Sequence, residues 1–208
     1  MIKALLLIFI PIHTWEQIAA FQRRTASVFL GYLLPLLLLS TTAECFGLVH
    51  WGKPRGDVGR LTPFPLSHAV LYGLGRIILS IIIVVVLAKL MKSLGDTFHG
   101  RHSFHQAFTL ATYGLGPMFT LRVLNLFPAV SPWVTWTLGV ILCTMVLYHG
   151  LPIIMKPDPS HAFGLYFMSV LLMAIVTGLA CFLTVWYVRG KFGKLDELIS
   201  YLASYLPF

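Results

Sequence analysis

Between positions 106 and 155 the sequence carries one charged residue, Arg122, in a run long enough for two bilayer crossings at about 20 residues each. No water-facing surface can be built from such a run, nor from the chain as a whole. Hydrophobic residues make up 58%, charged residues 11%, and the mean hydropathy is +0.85, where a soluble domain carries about 25% charged residues. The chain reads as an integral membrane protein, and its 208 residues suit a single domain over 1–208.

Apolar runs place five spans, at 26–49, 69–88, 106–127, 133–154 and 162–188. Pro35 is expected to kink the first. Lys89 and Lys92 end the second. Pro128 and Pro132 mark the turn after the third, because proline breaks helices. The start, "MIKALLLIFIPIHTWEQ", has too short an apolar stretch and no small-x-small site for a cleaved leader. Residues 1–10 are expected to be retained at the interface, with Thr14 and Gln17 forming a capping box at a helix start. In the tail, Leu195, Leu198, Ile199, Leu202 and Leu206 share a helical stripe suited to the membrane surface. The fold class expected is an all-α bundle of five transmembrane helices with interfacial N- and C-terminal helices. An odd number of spans would put the termini on opposite sides.

The formal net charge of +8 does not indicate nucleic acid, because the fifteen Lys and Arg lie at the edges of apolar runs. Leaving out Arg76 and Arg122, the N-terminal side of the five-span arrangement would carry Lys3, Arg23, Arg24, Lys89, Lys92, Arg101 and Lys156. The other side would carry Lys53, Arg55, Arg60, Arg189, Lys191 and Lys194. That balance favours a cytoplasmic N-terminus under the positive-inside rule. Cys45, Cys143 and Cys181 lie in apolar segments without C-x-x-C spacing and read as small core residues.

Three intramembrane charges stand out, since such residues are costly and face partners or water. Glu44 lies seven residues before Trp51 and Arg76 lies seven residues beyond Ala69, roughly 10–12 Å from the same interface at 1.5 Å per residue. Matching depths predict an ion pair between the first two spans, which Arg122 could join. The preferred reading is a structural ion pair of Glu44, Arg76 and Arg122; a substrate or ion site is the alternative.

On the other side His99, His102 and His105 precede the third span, and His149 and His161 flank the turn in "YHGLPIIMKPDPSHA". Imidazole suits zinc, copper or nickel, so these five are the candidate metal ligands. Solvated interfacial histidines are the preferred reading, because Gly100 breaks the shared face and no H-E-x-x-H signature is present. The turn itself reads as a hinge: Pro157 and Pro159 stop a helix there. Ser160 beside His161 lacks a G-x-S-x-G setting. Small residues four apart (Ala69 and Gly73, Thr112 and Gly116, Ala174 and Gly178) suit close helix contacts.

The stretch beginning "ATYGLGPMFT" resembles the Yip1 family in its bacterial form. Its marks are an aromatic-Gly-x-x-Pro motif (YGLGP) in the third span and a proline at the next turn. A Tyr-x-Gly motif (YHGL) closes the fourth span, and a fifth rich in small residues follows. "IPIHTWEQIA" is similar to the Pro…Trp…Ile entry of the same proteins, and the resemblance runs from about residue 11 to 188. It implies five spans, a cytoplasmic N-terminus and no catalytic residue to carry over. Eukaryotic members act in vesicle trafficking and bind Rab GTPases through a long soluble N-terminal region, which this chain is expected to lack.

The expectation is a non-enzymatic protein of the bacterial inner membrane, without cofactor. Its partners are the lipid bilayer and membrane proteins or further copies of itself, which it scaffolds, free or as an accessory subunit. The alternative is a small transporter or channel subunit whose path is lined by Glu44, Arg76 and Arg122. Such a protein should have a hydrated cavity reaching that cluster and repeated halves. A scaffold should instead pair its charges internally and expose small-residue or aromatic faces. The sequence carries no internal repeat, which favours the scaffold.

Overall fold

In the computed structural model, which describes residues 2–21, 24–55, 60–98, 103–158, 160–191 and 201, two short helices precede the first long one. These are α1 (Ile2–Phe9), α2 (Pro11–Phe21) and α3 (Thr25–His50). Pro11 takes the start of α2, where a missing N–H costs nothing. Thr14 therefore lies inside the helix, not at its cap, and its hydroxyl donates to the Ile10 carbonyl at 2.7 Å. A capping box forms instead at Ser103 and Gln106. Leu7 and Trp15 are fully buried, and the Trp15 indole N–H donates to the Val146 carbonyl at 3.0 Å. Gly150 makes room for that indole: a Cβ there would lie 2.9 Å from Trp15 Cδ2.

Just before Pro35, where a kink is expected, the helix passes through a π turn over Phe29–Leu33. Widening the helix there accommodates a proline that has no N–H to give. A two-stranded antiparallel hairpin, β1 (Lys53–Arg55) and β2 (Arg60–Thr62), leads to α4 (Leu66–Thr97). With 32 residues α4 is about 48 Å long and runs on past Lys89 and Lys92. Those lysines mark where apolar surface ends; lysine is itself a good helix former, so the helix does not end with it.

The expected five-span bundle is corrected at its third member. Among the described residues four helices are long and apolar enough to cross a membrane: α3, α4, α7 (Pro132–Met155) and α8 (Ala162–Val188). The segment placed at 106–127 is broken into α5 (Phe104–Gly114), α6 (Gly116–Leu121) and a 3-10 turn over Arg122–Leu126. Gly114 and Gly116 are poor helix residues, and Pro117 removes a donor and crowds the preceding turn. Every residue at 107–119 is buried, whereas only 33–44% of each spanning window is. The other helices enclose this segment, and irregular backbone is tolerated at membrane depth only under such cover. The odd span count that set the termini on opposite sides goes with this correction. The surface helix expected over 195–206 lies, Tyr201 apart, outside the described residues.

Two ends of the bundle follow from shared neighbours. Val28, Ser103, Ile154 and Lys156 border one cavity, which gathers the start of α3, the cap of α5 and the end of α7. At the opposite end Leu48, Tyr72, Ser131 and Val188 border another. The interior segment runs from the first end toward the second.

Candidate functional site

Glycines bring the charged residues together. A Cβ on Gly73 would sit 2.8 Å from Cys45 Sγ, so α4 approaches α3 one turn from Arg76 and beside Glu44. Gly47 meets backbone directly: a Cβ there would lie 2.9 Å from Leu126 Cα, which presses the 3-10 turn against α3. Arg122 opens that turn.

The result is a closed polar cluster. Glu44 Oε2 accepts from Arg122 Nη2 at 3.1 Å and lies 3.7 Å from Arg76 Nε, while Oε1 accepts from the Tyr72 hydroxyl at 2.7 Å. Arg122 Nη1 donates to Ser80 Oγ at 3.0 Å, and Ser80 in turn donates to the Arg76 carbonyl at 2.8 Å. Arg76 Nη1 donates to Thr184 of α8. Glu44 and Arg122 are 5% and 7% exposed, too little for water to screen them fully. One carboxylate set against two guanidiniums leaves a charge of +1 on the cluster. Neither arginine Nε has a hydrogen-bond partner.

The structure thus brings together Glu44, Arg76 and Arg122, with Arg122 the closer partner of the carboxylate. Sequence reading left out Tyr72, Ser80 and Thr184. A signal for two of them was present, since Tyr72, Arg76 and Ser80 recur every fourth residue and therefore share one face of α4.

Two cavities serve this cluster. A vestibule of about 250 Å3 at the second end is bordered by Glu44, Tyr72, Ser131, Trp133, Thr184 and Arg189. Beside it lies a smaller chamber, of about 40 Å3, bordered by Arg76, Ser80, Met118, Arg122, Asn125 and Cys181. Thr184 and Pro132 border both. From the first end a larger cavity, about 440 Å3, reaches inward past Val28 and Thr109 to Tyr113. Tyr113 and Met118 flank the break at 114–117, so the cavities from the two ends approach the same interruption of the interior segment.

Of the five candidate metal ligands, His105, His149 and His161 lie among the described residues. His105 is half-buried on the 440 Å3 cavity. His149 is half-buried on α7, its Nδ1 3.0 Å from the Met145 carbonyl, and His161 Nδ1 lies 3.0 Å from Ser160 Oγ. His99 and His102 fall outside the described residues. Among the described residues no group of three or more His, Cys, Asp or Glu could hold a metal. The turn beyond α7 is shaped by backbone: Lys156 caps the helix in the left-handed region at φ 42°, and the Asp158 carbonyl accepts from the amides of His161 and Ala162.

The family model described as the Yip1 domain matches residues 5–202. No curated protein and no solved structure matches the chain.

Proposed function

Since this chain belongs to the Yip1 domain family, whose members are non-catalytic membrane proteins, we propose that it is a small transporter or channel subunit. Its path runs past Glu44, Arg76 and Arg122. The observation that carries this reading is a pair of neighbouring spaces that share Thr184 and Pro132, one bordered by Glu44 and the other by both arginines. Intramembrane ionisable residues mark ion and substrate paths by default. Discontinuous interior segments are where transporters place their sites. Here the break at 114–117 lies between that chamber and the cavity from the first end.

A scaffolding role draws less support. The exposed large side chains of α8, such as Phe163, Phe167 and Leu179, are those any lipid-facing helix carries. We place the protein in the inner (plasma) membrane. The end bearing Lys89, Lys92 and Lys156 would face the cytoplasm, following the positive-inside rule.

Cys181 offers a native probe, because it borders the chamber. With Cys45 and Cys143 changed to Ala, a small membrane-impermeant thiol reagent is expected to modify Cys181 from the face bearing Ser131 and Arg189. It should react far more slowly from the Lys156 face. Equal rates from both faces, or no reaction in the folded protein, would remove the path.

A further inference from the structure

We infer that the chamber between Arg76 and Arg122 binds one small monovalent anion of halide size. This names the ligand class of the cluster; the anion's passage rests on the transport reading, but its binding does not.

Charge balance comes first. Guanidinium stays protonated in proteins, so Glu44 neutralises one arginine and the other is left over. A buried charge without a counter-charge is expensive, and more so at membrane depth. The excess also has a definite place. The chamber borders include both arginines together with Ser80, Asn125, Thr135 and Thr184, and no carboxylate. Glu44 borders the outer vestibule instead. Arg122 keeps a buried Nε without a hydrogen-bond partner, while Arg76 Nε has only the Glu44 carboxylate at 3.7 Å, and a buried donor left unmade costs stability.

Size then selects the ligand. A space of about 40 Å3 exceeds the roughly 10–15 Å3 of accessible cavity that one water requires. It admits a single halide. Arg189 borders the vestibule, where a cation favours anion entry. Arginine rings are a known means of anion selection in pores.

The test is thermal unfolding of the purified full chain in mild detergent at constant ionic strength, with chloride or bromide replacing gluconate. A saturable rise of about 5 °C is expected at full occupancy. Arg76→Gln leaves Glu44 paired with Arg122 and no surplus charge, so its melting temperature should be the same in all three anions. Arg76→Lys should retain the rise. If Arg76→Gln does not fold, Ala180→Leu fills the chamber without altering a charge and should also lose the response. Equal melting of the wild type in all three anions would overturn the inference. So would an adventitious ion only, seen as a non-saturating effect that the variants retain. A saturable response in a protein that passes no ions would leave the anion site standing and remove the transport reading. Ion flux without an anion response would do the reverse.

Discussion

Glu44→Gln is expected to destabilise the detergent-solubilised protein by about 3–5 kcal/mol, the usual cost of leaving a buried ionic partner uncompensated. Among the described residues the carboxylate is the sole acid in a cluster with two guanidiniums, at 3.1 Å from Arg122 and 3.7 Å from Arg76. Replacing it raises the enclosed charge from +1 to +2 and leaves one acceptor oxygen where two served Tyr72 and Arg122 separately, the other position becoming an NH2 donor. Arg122→Gln added to Glu44→Gln returns the charge to +1, carried by Arg76 with its bond to Thr184. That double variant should recover much of the loss. Unfolding curves of both single variants and the double variant give the coupling. A double variant no more stable than the worse single one would show that the three residues do not act as a unit.

Gly47→Ala is the second large effect, expected to cost about 3 kcal/mol, the upper part of the range for overpacking. An added methyl would meet the Leu126 backbone, its Cα at 2.9 Å. A side chain could rotate away; backbone of a packed turn cannot, so α3 and the 3-10 turn must separate. Arg122 begins that turn and moves with it, away from Glu44. Gly47→Ala should therefore lower stability and also remove the dependence on Glu44, making Glu44→Gln in that background much less costly than in the wild type. Full additivity of the two changes would show that the Gly47 contact does not set the position of Arg122.

The four continuous helices are legible in the sequence because an uninterrupted apolar run of 20 or so residues has few other uses. The interior segment was misread for the same reason. Hydropathy measures apolarity alone, and the side chains at 107–119 are as apolar toward protein as others are toward lipid. What distinguishes them is the G-L-G-P interruption at 114–117, a pair of glycines and a proline in mid-segment. Two glycines and a proline within four residues weaken a continuous helix, and the backbone groups they free need partners that lipid does not offer. Matching depth was enough to associate Glu44 with Arg76. The primacy of Arg122 was not legible, because its position depends on a 3-10 turn and on a contact with Gly47 far away in the chain. Thr184 was hidden in the same way, since nothing in α8 alone marks the one threonine of its face that meets Arg76.

Membrane flux tests the central claim most directly. The purified protein is placed in vesicles, and the passage of chloride, bromide, nitrate, sodium and potassium is followed against protein-free vesicles. The account predicts saturable passage of the monovalent anions over the cations, abolished by Ala180→Leu in the chamber wall while that variant remains folded. Flux equal to that of protein-free vesicles for every ion, from protein shown to be folded, would contradict it.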